Sequence, residues 1–372
     1  MSQKSSYNES LVSKIKRLNN LYTKICDFEN IKIAHRNASR GKHWYKEVKM
    51  VNSDPEKYLT ELQNQLINKT YKTSEYEIFT RDDGVKKREI YKLPYYPDRI
   101  VHWAILQVIE PILLKNLITN TYSAIPNRGI HYGMQRVKSD IYNDPEGCKY
   151  CLKLDIRKYY PSINHEILKQ KYRRLFKDKD LLWLLDEIVD SVNENEGVPI
   201  GNYLSQYFGN FYLSSFDHWI KEEKHVKYYH RYMDDMVIFG GSKEELHQLF
   251  DDIQEYVSKE LKLHIKDNWQ IFPTQVRGVD FLGYRFFGKY TLVRKRTYKN
   301  MKRKMIQYAK YDTLNYNQKC SVVSYEGWLM HCDAHRLRKK YVEPIITKPS
   351  FKRNEMRFGK VKKAKNNKGV MK

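Results

Sequence analysis

The stretch Val226–Phe239, VKYYHRYMDDMVIF, sets two adjacent acids between apolar runs that are each of strand length. Aromatic and β-branched residues dominate both runs, so they read as the arms of a β-hairpin with Asp234 and Asp235 at its tip. An Asp-Asp pair in a tight turn is commonly solvated turn chemistry. Here apolar residues flank both acids on one short element, where uncompensated charge is expensive, and a divalent ion would compensate it. About eighty residues upstream, KYCLKLDI (Lys149–Ile156) alternates as a strand and ends in a third acid, Asp155. Three carboxylates on adjacent strands form the cage that a pair of divalent ions needs for phosphoryl transfer, in which the protein otherwise contributes position and electrostatics.

The flanking sequence fits an α+β fold. Leu11, Ile15, Leu18, Leu21 and Ile25, and again Tyr58, Leu59, Leu62, Leu66 and Ile67, recur at three- and four-residue steps, predicting a helical N-terminal extension. Tyr76–Phe79 and Lys87–Tyr91 flank Arg81-Asp82-Asp83-Gly84 and read as a β-hairpin. Ile100–Leu114 reads as a buried helix ended by Pro111, Lys179–Val192 as an amphipathic helix and Glu244–Leu261 as another. Strands follow at Gln270–Phe272 and Asp280–Phe287. This order suits an α+β fold with an antiparallel sheet rather than a doubly wound sheet. Beyond Arg294 the chain is helical and basic, and its last twenty or so residues, lysine-rich, are expected to be disordered.

Lysine and arginine number 68 against 44 acids in 372 residues, a formal charge of +24. Such an imbalance predicts a nucleic-acid partner, and 31 tyrosines suit stacking on bases as well as core packing. No apolar stretch has membrane-spanning length and no signal peptide is apparent, so the reading is cytoplasmic with no membrane partner. Five cysteines form no disulfide framework; Cys148 and Cys151 have metal-ligand spacing but lack a second pair and read as core or turn residues.

Tyr232-Met233-Asp234-Asp235 resembles the signature tetrad of reverse transcriptases, and LKLDIRKYYPSI (Leu152–Ile163) resembles their first catalytic motif. GVPIGNYLSQYFGNFYL (Gly197–Leu213) is similar to their template- and nucleotide-positioning motif, VDFLGY (Val279–Tyr284) to the primer grip, and KKREI with DRIVHWAILQVIEPI (Asp98–Ile112) to the fingers. The resemblance implies a right-hand polymerase: an N-terminal extension over 1–70, fingers over 71–145, palm over 146–290, helical thumb over 291–348 and a basic tail over 349–372. Ile200-Gly201 followed by Ser205-Gln206 resembles the enzymes of diversity-generating retroelements, where other branches usually carry Gln before the Gly and Ser-Pro after it. WQIFP (Trp269–Pro273), GWLMHCDAHRL (Gly327–Leu337) and FENIKIAHRNASRGK (Phe28–Lys42) resemble that branch too, whereas Leu204, where threonine is usual, leaves room for antiviral defence enzymes.

The resemblance carries roles onto single residues. Asp155, Asp234 and Asp235 with the Ile156 carbonyl would ligate two Mg2+ ions, with Mn2+ as a substitute. Tyr160 would be a steric gate favouring deoxynucleotides. Lys87, Arg88, Ile200, Gly201 and Gln206 would meet the incoming nucleotide. Phe281, Leu282, Gly283 and Tyr284 would hold the primer, and Arg294, Lys295, Arg296, Lys299, Lys302 and Arg303 the template–primer phosphates. Lys266 in LHIKDNW reads as a surface lysine, with proton donation to pyrophosphate as the competing role. Implied partners are an RNA template, a DNA or RNA primer, deoxynucleoside triphosphates, a structured noncoding RNA and a small accessory protein or second polymerase. A non-catalytic RNA-binding scaffold or maturase is the reading of another class, and clustered carboxylates near RNA phosphates argue against it.

Overall fold

The computed structural model describes residues 17–82, 87–192 and 195–351; Leu11, Ile15, the Asp83-Gly84 turn and the tail from 352 onward lie outside them. The N-terminal extension forms helices α1 (Tyr22–Ile25), α2 (Phe28–Ala38), α3 (Lys46–Ser53) and α4 (Pro55–Ile67). Capping sets two of the starts. Asp27 accepts the Asn30 N–H ahead of α2, and Asp54 accepts the Lys57 N–H ahead of α4, whose first residue is Pro55. Leu18 and Leu21, expected in a helix, precede α1. Leu18 instead bridges Phe176, and its backbone bonds to Leu175 and Lys177 take the groups a helix would use.

Strands β1 (Glu77–Asp82) and β2 (Lys87–Lys92) pair antiparallel, with Asp82 opposite Lys87. Arg81 and Asp82 therefore belong to the strand and not to the turn. Helix α5 (Ile100–Lys115) runs through Pro111 instead of ending there. Proline removes one donor, but Ile109 and Leu113 are buried on either side of it, and that burial outweighs the missing bond. Next come α6 (Ile130–Asn143), β3 (Tyr150–Asp155), α7 (His165–Leu175), α8 (Lys179–Val189), α9 (Tyr203–Tyr212), α10 (Ser214–His218), β4 (Tyr228–Tyr232), β5 (Asp235–Gly240), α11 (Lys243–Leu261), β6 (Gln270–Pro273) and α12 (Thr274–Arg277). The stretch read as one strand over Asp280–Phe287 is a hairpin, β7 (Val279–Phe281) and β8 (Tyr284–Phe286). Leu282 and Gly283, both at positive φ, turn the chain between them. After β9 (Thr291–Val293) come α13 (Lys295–Ala309) and α14 (Tyr316–Leu329).

A four-stranded sheet has the order β4-β5-β3-β6, with β3 and β6 antiparallel; β7-β8-β9 form an antiparallel sheet of their own. Packing divides the chain into two compact units. One draws on Met1–Pro126, Leu154–Met236 and Gln248–Trp269, the other on Asn127–Lys153, Val237–His247 and Gln270–Lys372. In the first, α5 packs on α2 and α9, and Trp103 stacks on Tyr203 with ring centroids 4.6 Å apart. In the second, Met301, Met305 and Tyr308 of α13 join Val322, Leu329, Val342 and Ile345 in a helical core. Cys148 and Cys151 are buried, in keeping with the core reading of their side chains. No helix among the described residues is long and apolar enough to cross a membrane.

Candidate active site

Strand β3 ends in Asp155, and the turn between β4 and β5 brings Asp234 to it. The Ile156 N–H donates to the Asp234 carbonyl at 3.4 Å. Burial first, and then the charge of Asp155 beside it, pushes the Asp234 carboxyl up to about 7. A cation beside the two carboxylates would favour the ionised form of Asp234. Lys266 supplies one positive charge: its ammonium pairs with Asp155, and its N–H donates to the Asp155 carbonyl at 2.9 Å.

Lys266 reaches the acids because its segment runs beside the end of β3. Ile156 bridges antiparallel to Ile265, and the Arg157 N–H donates to the His264 carbonyl at 2.8 Å. The surface reading of Lys266 is thus corrected. Alternation of Leu263 and Ile265 with polar residues was the available signal for an extended segment.

The donor chemistry fits a hard divalent ion, since paired carboxylate oxygens that resist joint ionisation are what such an ion neutralises. Asp155 and Asp234 are brought together. Among the described residues no group of three or more His, Cys, Asp or Glu side chains is gathered in metal-holding geometry, and Asp235 is the first residue of β5.

Tyr160 lies in the same place. Its hydroxyl contacts Met233 Sδ at 3.5 Å, and burial followed by the charge of Asp234 drives its phenol well above the usual range. Gly209 of α9 makes room for the ring, because a Cβ there would stand 3.3 Å from Tyr160 Cε1. The Val198 N–H donates to the Tyr160 carbonyl at 2.9 Å, which ties the start of the positioning motif to the end of the first catalytic one.

Within that motif Leu204 is wholly buried, Gln206 is exposed on α9 and Ile200 is half-buried. The Tyr91 N–H of β2 donates to the Ile200 carbonyl at 2.8 Å. Lys87 and Arg88 are exposed on that same strand, so the hairpin that carries them is joined to the Ile200-Gly201 loop by main chain.

In the other unit Phe281, Leu282 and Tyr284 are buried, leaving the backbone at Leu282-Gly283 as what this turn can offer a ligand. Trp328 closes over the turn; a Cβ on Gly283 would lie 2.5 Å from its ring. Arg294 pairs with Asp280 and donates its N–H to the Gly283 carbonyl at 2.9 Å. Lys295, Arg296, Lys299, Lys302 and Arg303 are exposed on α13, on the side away from buried Met301 and Met305.

An antiparallel sheet that carries paired acids at a strand end and a hairpin tip, together with a separate basic hairpin and a helical C-terminal portion, defines the right-hand polymerase class of α+β fold. Residues 82–286 match the family model described as reverse transcriptase (RNA-dependent DNA polymerase). The chain belongs to the reverse transcriptase family, whose members use divalent metal ions. Protein YkfC of Escherichia coli (strain K12) is 25% identical over 238 residues, covering 53% of this chain and 62% of that protein, so the chain spans under two thirds of this relative's length. Among solved structures, telomerase from Candida albicans in complex with the TWJ fragment of telomeric RNA is similar over 78% of this chain and 61% of its own, at TM-score 0.47 and 11% identity. Apo telomerase from Candida tropicalis is similar over 74% of this chain and 57% of its own, at TM-score 0.49 and 12% identity.

Proposed function

We propose that this protein is an RNA-directed DNA polymerase that copies a dedicated RNA template into cDNA with low fidelity, as part of a diversity-generating retroelement. The observation that carries the polymerase reading is the meeting of Asp155 and Asp234, with the latter's carboxyl held near neutrality by burial and its partner's charge. Asp155 and Asp234, with Asp235 and the Ile156 carbonyl, are the groups that would hold Mg2+. When bound, such ions polarise the α-phosphate and favour ionisation of the attacking 3′ hydroxyl. Primer extension on an RNA template with deoxynucleoside triphosphates tests the reading; absence of any templated product on RNA would overturn it.

The chain's own residues take the remaining roles. Arg88 has the bidentate geometry for a triphosphate and Lys87 a point charge beside it. The exposed cations of α13 would follow the template–primer backbone, and the Leu282-Gly283 turn would position the primer through its main chain. The structured noncoding RNA and small accessory protein are proposed partners on the strength of the retroelement resemblance.

Tyr160, packed between Gly209 and Met233, would lie under the sugar and leave no room for a 2′ hydroxyl. Tyr160→Ala is expected to relax the preference for deoxynucleotides over ribonucleotides by roughly tenfold to a hundredfold, read as the ratio of kcat/KM values. An unchanged ratio would return the ring to a purely structural role.

Ile200 supports the low-fidelity part. A glutamine there could hold the nascent pair by hydrogen bonds, whereas isoleucine offers only its backbone, and the Ile200 carbonyl is already taken by Tyr91. Loss of one such bond removes about 1 kcal/mol of discrimination, about tenfold between right and wrong pairs. Ile200→Gln is expected to lower misincorporation by about that factor, most at template adenines. Product sequencing opposite each template base is the measurement, and equal error rates in the two proteins would refute the idea.

A further inference from the structure

Arg231 and Asp217 are both 0% exposed, and they form an ion pair. A buried pair of this kind contributes little net stability, because well-packed apolar residues of similar volume generally do as well. What apolar residues cannot do is donate hydrogen bonds in fixed directions, and here the directions converge on the turn that carries the catalytic acids.

The guanidinium donates from Nε to Asp217 Oδ1 at 2.7 Å and from Nη2 to Asp217 Oδ2. Nη1 donates to the Met233 carbonyl at 3.1 Å and to Asn210 Oδ1 at 3.3 Å. Each partner is itself held. Asp217 Oδ1 accepts the Tyr229 hydroxyl at 2.7 Å, and the Asn210 amide donates from Nδ2 to the Ser123 carbonyl at 2.6 Å, which fixes its oxygen toward Arg231. The Arg231 main chain is held as well, between the Asn120 carbonyl and the Tyr122 N–H.

Met233 has a φ of +55°, a left-handed conformation that side chains other than glycine and asparagine seldom adopt. It immediately precedes Asp234, so the backbone at Met233 sets where the acid points. Asn210 lies on α9, the helix of the positioning motif, one residue after the Gly209 that accommodates Tyr160.

We infer that Arg231, held by Asp217, is a positioning residue that locks the Met233-Asp234 turn in its left-handed form and couples that turn to α9 through Asn210. The inference rests on the polymerase reading for its catalytic consequence, and on the structure alone for its conformational one. Removing only Arg231 would leave Asp217 charged and buried without its partner, so the informative change removes both charges at once.

The double variant Arg231→Met/Asp217→Leu is expected to unfold cooperatively, near the parent's Tm, while amide hydrogen exchange over residues 232–235 accelerates at least tenfold. The Mn2+-induced rise in Tm should shrink, and the Mg2+ concentration for half-maximal extension should rise about tenfold to a hundredfold, as for other supports of ligand groups. In Arg231→Lys the charge is kept but the fork of donors is lost. Its exchange and Mg2+ requirement should fall between parent and double variant, which keeps the test decisive if the double variant does not fold. Parent-like exchange and parent-like metal response in either folded variant would overturn the inference. If the parent itself extends no primer, the polymerase reading fails, while the exchange and Mn2+ measurements still decide the role of Arg231.

Discussion

Asp234→Asn is expected to abolish nucleotide addition while making the metal-free protein harder to unfold above neutral pH. Both effects come from one arrangement. A ligand that loses its charge forfeits several kcal/mol of transition-state stabilisation from a bound ion, which corresponds to at least about a thousandfold in rate. The stability effect follows from linkage. The Asp234 carboxyl is raised from 3.8 to about 7 in the folded protein by burial and by Asp155. Between those values the native state holds a proton that the unfolded chain has released, so stability falls as pH rises through this window, and the penalty is complete above about 7. Below 3.8 both states are protonated and the penalty is absent. The asparagine removes the titration. Lys266 offsets part of the repulsion, so a gain of about 1 kcal/mol, worth roughly 2 °C or a little more, is a reasonable magnitude at pH 8. Thermal unfolding in EDTA at pH 3.5, 6 and 8 should show the difference between variant and parent growing with pH, alongside lost primer extension. Extension within tenfold of the parent, or a Tm difference that ignores pH, would remove Asp234 from its assigned place.

How much of this site the sequence reveals depends on whether a feature is local. The hairpin of Tyr228–Gly240 is written in two short apolar runs and the strand that ends in Asp155 in alternation; both form, with Asp235, read as part of the hairpin tip, standing instead as the first residue of β5. Pro111 misleads because a proline's local cost is visible in the sequence, whereas the burial of Ile109 and Leu113 that outweighs it is tertiary. Lys266 is the same case at the site. Its ion pair with Asp155 depends on a backbone bridge between segments about a hundred residues apart, and nothing near LHIKDNW announces that bridge. Arg231 stands directly before the signature tetrad and is still not legible as a sequence feature, because an arginine between histidine and tyrosine has no local mark of burial. Its partners Asp217, Asn210 and Thr121 come from three other segments. In the stretch that resembles a primer grip, Phe281, Leu282 and Tyr284 are core side chains, and that burial, like that of Arg231, is tertiary and carries no local mark in the sequence.

Gly201→Ala is expected to lower kcat/KM for the incoming nucleotide by about a hundredfold with only a small change in Tm. Gly201 has a φ of +126°, and a Cβ built on it would stand 2.7 Å from the Tyr91 carbonyl oxygen and 3.2 Å from Ile90 Cγ2. The oxygen belongs to backbone, so no rotamer change relieves the overlap. A non-glycine residue held in such a conformation costs about 1–3 kcal/mol before the clash is counted. The protein has two ways to respond: it can bear the strain and lose stability, or let β2 move away and break the bond from the Tyr91 N–H to the Ile200 carbonyl. The second route is the easier, since β1 is exposed along its length and β2 along most of its own, so little apolar burial opposes the movement. The hairpin that moves is the one carrying Lys87 and Arg88, and loss of their alignment with a triphosphate accounts for the size of the kinetic effect, about 2.7 kcal/mol at a hundredfold. Single-nucleotide incorporation gives kcat and KM separately, and the loss should fall mainly on KM. Gly129→Ala is the matched control, because a Cβ there has no neighbour within 4 Å and its φ is −102°. Parent-like kinetics in Gly201→Ala would mean that the contact between β2 and the Ile200-Gly201 loop does not govern nucleotide binding.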